Sequence, residues 1–281
     1  MESSSKWKVG LWILAFLITL CMAIYQRMTG PTYPVSGKLR EGGLDMVYRL
    51  ERSHDTGSDQ AVTVSVKGGA PVEGWLAYKR FKTSDDWTRL PMTVQGENLT
   101  AFLPAQPAAG KLEYFVEIST AGQKLRIPAQ PVVTRFKGRV PFCWLLPHVV
   151  IIFSALMMSV RTGLALLARE PVRKLVTMTF YFLLVGGMIL GPIVQKYAFG
   201  AFWTGFPFGG DLTDNKTLVA FIGWVIAYWL TRQEGRGRWA TAVAVLLMLA
   251  VYLVPHSVWG SELDYSSNRV VTGQGPATQG E

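Results

Sequence analysis

Cysteine and histidine are scarce in this chain, two and three among 281 residues. No two histidines stand at i, i+4 spacing, so the helical pair that seats a metal ion is missing and ligation would fall to isolated residues. The cysteines, Cys21 and Cys143, lie in or beside apolar segments, where thiols act as small packing groups, and no disulfide is expected between them. Catalytic motifs are missing as well: there is no GxSxG elbow, no P-loop, no dinucleotide-binding glycine pattern and no HExxH helix. The expectation is a non-enzymatic protein. Charged and amide residues are absent from the middles of the apolar segments, which read Phe153-Ser154-Ala155, Leu183-Leu184-Val185, Ile222-Gly223-Trp224 and Val245-Leu246-Leu247. A polar transport path through a monomer is not expected from such centres. Although 28 basic residues outnumber 19 acidic ones, giving a net charge of +9, no Lys/Arg stripe forms, and nucleic acid is not an expected partner.

What the chain does have is apolar length. Five segments run Val9–Tyr25, Phe142–Val160, Leu175–Val194, Leu218–Leu230 and Trp239–Val254. Spanning a hydrocarbon core takes about 20 helical residues, which the first three approach unaided. The fourth reaches that length only if its helix starts near Thr213, drawing Asp214, Asn215 and Lys216 toward the membrane, and the fifth only by including Pro255 to Val258. The first segment is read as an anchor rather than a cleaved leader, since no small-x-small site follows Tyr25 and Leu20 precedes Cys21.

Short basic loops orient such segments, because Lys and Arg are retained on the cytoplasmic side. Lys6 and Lys8, then Arg161, Arg169, Arg173 and Lys174, then Arg232, Arg236 and Arg238 fall on one side, while the loop 195–217 carries only Lys196 and Lys216. The expectation is a multi-pass bacterial inner-membrane protein with a cytoplasmic amino terminus and a periplasmic loop and tail. Its domains are an anchor (residues 1–30), a periplasmic β-sandwich (37–138), a four-helix transmembrane bundle (140–258) with an aromatic and glycine-rich loop (195–217), and a polar tail (259–281), unstructured from Ser266 onward. Gly186, Gly187 and Gly191 let helices approach closely.

Between the first two segments the periodicity changes to two. Val62, Val64 and Val66 alternate with Thr63 and Ser65, and Leu112, Tyr114, Val116 and Ile118 demand one face of a strand. Seven or eight short runs from Leu44 to Phe136 indicate a sandwich. The run Tyr78-Lys79-Arg80, Trp87-Thr88, Pro91-Met92, Leu99-Thr100-Ala101-Phe102-Leu103-Pro104, Pro107, Gly110 and Glu113-Tyr114-Phe115-Val116 resembles the fibronectin type III or immunoglobulin-like modules of exported bacterial proteins. The resemblance covers about a third of the chain. It implies binding or spacing and carries over no catalytic residue. His54, in the polar stretch Ser53–Gln60, reads as a loop residue.

Topology gathers polar residues at the outer end of the bundle: His148 early in the second segment, His256 at the end of the fifth, and Asp214 opening the fourth. Gln195, Lys196, Asp211, Lys216, Glu262 and Asp264 belong to the same level and could face one pocket. His148 and His256 could supply two axial nitrogens to haem b. With Asp214 they could hold a transition metal, or they could hydrogen-bond a quinone headgroup. Alternatively they are interfacial residues, with Asp211 and Asp214 serving the fourth helix's amino terminus. Phe199, Phe202, Trp203, Phe206 and Phe208 form an aromatic loop that lies at the membrane surface or docks a partner. The leading expectation is an accessory or scaffolding subunit of an envelope complex, binding the bilayer and other protein subunits through the sandwich and this loop. The alternative is a redox or metal-binding subunit using the histidines.

Overall fold

A computed structural model describes residues 2–68, 72–120, 123–233, 236–256, 258 and 260–272. The chain divides into two compact units, one joining the amino-terminal segment to Pro31 with Val140–Gly260, the other joining Thr32–Arg139 with the stretch from Ser261.

The helical unit has five helices: α1 Glu2–Thr29, α2 Phe142–Leu167, α3 Arg173–Phe199, α4 Leu212–Leu230 and α5 Arg238–Leu253. Three are long and apolar enough to cross a membrane, over Lys6–Thr29, Phe142–Leu167 and Arg173–Phe199. The α4 helix starts at Leu212, close to the start expected near Thr213, with Asp211 as its cap. The α5 helix is apolar but has only 16 residues. Its expected extension through Pro255 to Val258 fails, because Val254 is extended and a residue preceding proline is disfavoured in the α region. The α1 helix packs into the helical core through Ala15, Ile18 and Met22, and Gln26 Nε2 donates to Tyr252 O at 2.7 Å. That core centres on Trp224, flanked by Leu156, Ala220, Ala244 and Met248. Small residues where helices cross replace the hydrophobic driving force that is missing in lipid.

Within α3, Leu184–Leu190 forms a π turn. Gly186 makes room for α2, since a Cβ there would stand 3.0 Å from Ile152 N and 3.1 Å from Ile151 Cγ2. A π turn frees carbonyls from the i→i+4 ladder. The Gly186 carbonyl accepts both from the Gly191 amide and from His148 Nδ1, the latter at 2.9 Å.

The β unit stacks two five-stranded sheets. The first orders β1 (Val35–Glu41), β2 (Leu44–Leu50), β4 (Gln60–Lys67), β8 (Asn98–Leu103) and β7 (Thr93–Gln95); the second orders β3 (Ser53–Asp55), β10 (Gln123–Lys137), β9 (Lys111–Thr120), β5 (Glu73–Arg80) and β6 (Thr88–Pro91). Every neighbouring pair is antiparallel except β3 and β10. The alternating residues read from the sequence line the core: Val62, Val64 and Val66 form one wall together with Leu99 and Leu103 of the neighbouring strand, and Leu112, Tyr114, Val116 and Ile118 belong to the other. Tyr114 is buried, and its hydroxyl donates to Glu51 O at 2.7 Å. The runs Lys124–Ile127 and Val132–Phe136 merge into one strand with a register shift between Ile127 and Val132. His54, expected in a loop, sits in β3 with its ring edge-on to Phe136.

A hairpin of β11 (Glu262–Asp264) and β12 (Arg269–Val271) completes the β unit. The tail expected to be unstructured from Ser266 is therefore ordered through Val271, and its residues 273–281 lie outside the described residues. The ordering has a cause in side chains: Asp264 accepts from the Ser266 amide and from the Ser266 and Ser267 hydroxyls, closing the hairpin turn.

Candidate functional site

The polar residues at the α3–α4 connection assemble around Asp214. The α3 helix ends at Gly200, whose φ of 87° is one that glycine adopts without strain, and Lys196 Nζ donates to the Gly200 carbonyl at 2.6 Å. Eleven residues on, Asp211 caps α4, its carboxylate accepting from the Thr213 and Asp214 amides at 2.8 and 3.4 Å. The chain between them folds back on α4. Thr204 N donates to Asp214 Oδ2 at 2.6 Å, Gln195 Nε2 donates to the same oxygen at 3.1 Å and to Thr204 Oγ1 at 2.6 Å, and Phe206 N donates to Asn215 Oδ1 at 2.6 Å. Gly205 is required at this crossing, since a Cβ would lie 2.6 Å from Asp214 Cβ.

Asp214 and Asp211 are both buried. Gln195, Asp211 and Asp214 are thus brought together as the sequence suggests, but as a mutually satisfied knot rather than as a set of groups aimed at a ligand. Sequence reasoning missed Thr204 and Asn215. Their only signal is that they flank Gly205 and Asp214, and it emerges once the loop is known to fold back. Lys216 faces elsewhere, donating to Val254 O at 2.7 Å at the end of α5, where a cation suits the negative pole of the helix.

The two histidines are not carried on a pair of helices. His148 lies in α2 and is engaged with the π turn of α3. The α5 helix stops before Pro255, and His256 is exposed in the turn beyond it. Among the described residues, no group of three or more His, Cys, Asp or Glu is placed to hold a metal ion, so the set His148, His256 and Asp214 does not assemble as a metal centre. Glu262 and Asp264 belong to the β unit, where Glu262 pairs with Lys82 and Lys111 and Asp264 closes its turn.

The aromatic loop presents a different chemistry. Phe202, Phe206 and Phe208 are 56%, 69% and 81% exposed. The backbone beneath them is fixed by the Asp214 knot and by Trp203 Nε1 donating to Phe206 O at 3.0 Å. Lys196 stands over the Phe202 ring at 5.5 Å. Rigid backbone with outward aromatic rings suits contact with an apolar surface; it offers neither a nucleophile and base pair nor a charged cleft. No protein-family model matches the chain, and no curated protein matches it either.

Proposed function

We propose that this chain is a non-catalytic accessory or scaffolding subunit of a bacterial inner-membrane assembly, contacting partners through its β unit and its aromatic loop. The observation that carries this reading is the division of labour in residues 195–217: Gln195, Thr204, Asp211, Asp214 and Asn215 hold the loop to α4, and Phe202, Phe206 and Phe208 are displayed. A buried carboxylate that receives two side-chain donors and one amide is positioned to hold a loop, and the loop it holds exposes three phenylalanines.

The β unit fits the same role. Taken as A, B, E and D, the strands β2, β4, β8 and β7 follow the order of one immunoglobulin sheet, and β5, β9 and β10 follow C, F and G of the other. This order supports an immunoglobulin-like or fibronectin-like module, a class whose business is contact.

Five membrane crossings, with an outer β unit, form part of the proposal. Residues 262–265 bond to residues 82, 106 and 111, so both stretches lie on one side of any bilayer. The helices between them must then cross an even number of times, and α4 and α5 either both cross or both do not. At 1.5 Å per residue their lengths of 19 and 16 residues give about 28 and 24 Å, slightly short of a core of roughly 30 Å. The short basic turn at Arg232, Arg236 and Arg238, opposite in sense to the loop 195–217, supports both crossing.

The test is gentle affinity purification of the full-length chain from its native membrane, comparing wild type with a Phe202→Ser/Phe206→Ser/Phe208→Ser variant. The expected result is a stoichiometric larger complex that the variant loses while its own melting temperature stays unchanged. A wild-type chain that purifies alone would overturn the reading. In the same preparations, an oxidised-minus-reduced spectrum with a haem band abolished by His148→Ala would replace it with the redox reading.

A further inference from the structure

The carboxyl-terminal hairpin is held to the β unit by a short set of directed contacts, most of them on its first strand. Glu262 reaches two lysines at once, Oε1 to Lys82 Nζ at 2.6 Å and Oε2 to Lys111 Nζ at 2.7 Å, with its side chain 12% exposed. Leu263 N donates to Ala109 O at 3.0 Å. Tyr265 donates its hydroxyl toward Gln106 Oε1 and Lys111 O, both at 3.0 Å, and its ring lies 5.1 Å from the Arg80 guanidinium. A carboxylate, a main-chain amide and an aromatic ring with a polar tip are therefore each recognised separately within four residues.

Apolar anchoring is slight by comparison. Leu263 is the hairpin's one buried large side chain among the described residues, and Arg269 and Val270 are exposed. Beside the hairpin lies a cavity of about 400 Å³, within the range of ligand sites, walled by the Arg80–Asp85 turn on one side and by the hairpin on the other. Segments held by few buried apolar contacts open first. Removal of Glu262 would take one shared carboxylate from Lys82 and Lys111 together. An incoming carboxylate can take the same pair of charge-assisted hydrogen bonds.

We propose that Lys82, Lys111, Gln106 and Arg80 form a docking site for an acidic protein segment carrying a carboxylate three residues ahead of an aromatic ring, and that the chain's own Glu262-to-Tyr265 strand is its resident, displaceable occupant. The hairpin is then an internal competitor that sets how readily a partner segment enters. This rests on the partner-contact reading of the β unit and specifies where one such contact is made.

The test uses the full-length chain in detergent and a fluorescent synthetic peptide with the sequence of residues 260–272. The E262Q chain, whose own strand is weakened, is expected to bind the peptide at least tenfold more tightly than wild type. A peptide with Gln in place of its Glu should lose that binding, and so should a K82M/E262Q chain. Equal binding of the Glu and Gln peptides, or no binding by a folded E262Q chain, overturns the proposal. Should E262Q not fold, saturating peptide on the wild-type chain must accelerate hydrogen exchange at the Leu263 amide, and unchanged exchange overturns it too. Failure here with a co-purifying complex intact removes this docking site alone, whereas loss of the complex removes the wider reading.

Discussion

Glu262 shows how a single side chain ties pH to the hold of a segment. Burial by itself would raise its carboxyl, but the hydrogen bonds from Lys111 and Lys82 outweigh burial and keep it below the usual carboxylate range. Lys111 is also shifted downward, by burial first and by Arg135 next, against the pull of Glu262. Both partners move the same way because burial and Arg135 outweigh Glu262 at the lysine, whereas two lysine hydrogen bonds outweigh burial at the carboxyl. A carboxyl lowered in the docked state binds fewer protons there than when free, so its stabilisation is complete above the free value of about 4.3 and fades as pH falls through the docked value. The lowered lysine acts oppositely, costing stability at neutral pH, a cost that fades as pH rises from its docked value to its free one. The hairpin should therefore undock in acid. Hydrogen-exchange protection over residues 262–271, corrected for intrinsic rates, is expected to drop below about pH 4 in the wild-type chain. It should show a smaller acid step in E262Q; an identical step in both chains would assign the acid sensitivity to other groups, Asp264 first among them.

At the level of elements, the π turn of α3 governs how closely two helices pass. Gly186 leaves no room for a methyl group against the backbone of Ile152, whereas a Cβ at Gly191 would meet its nearest neighbour at an ordinary 3.6 Å. Gly186→Ala must push α2 and α3 apart and is expected to cost about 1–3 kcal/mol, the usual range for overpacking. Gly191→Ala should be neutral or slightly stabilising, because alanine propagates a helix better than glycine. Melting temperatures of the two variants in detergent check the pair, and equal values would remove the close-packing role. The turn itself could not be seen in the sequence: Leu184 to Leu190 continue the apolar run of α3 without a break, and a one-residue change of register leaves no compositional mark. Strand positions were plainer, since Val62, Val64 and Val66 can only line a sheet face. The short strands β1 and β3 were not, because Val35–Glu41 has no clear alternation and Ser53–Asp55 is ordered by pairing with Arg135–Lys137, far along the chain.

For the molecule as a whole, the number of crossings is decided by α4 and α5 together. In a background lacking Cys21 and Cys143, single cysteines placed at Phe208 and Gln233 are expected to react with a membrane-impermeant maleimide from opposite sides of the bilayer. Labelling of both from one side would mean that neither helix crosses and that three spans are the full count. Apolar length made the three membrane-length helices readable in advance, and the expected topology grouped Gln195, Asp211 and Asp214, which meet in the Asp214 knot. They could not separate a polar cluster that binds something from one that binds itself, because the difference lies in Thr204, Asn215 and Gly205 arriving from a folded-back loop. The same blindness explains His256: its position near the end of an apolar run suggested a helix face, and the backbone preference before Pro255 took it off the helix.

The β unit is discontinuous in sequence, and this bears on its biosynthesis. Residues 261–271 leave the ribosome after the whole of Val140–Gly260 has been made, an interval of roughly 6–24 seconds for a stretch of about 120 residues translated at about 5–20 residues per second. Throughout that time Glu262, which Lys82 and Lys111 share, has not yet been made. Completion of the β unit therefore cannot precede synthesis of α5, so the order of translation makes the hairpin the last piece of the sandwich to be supplied.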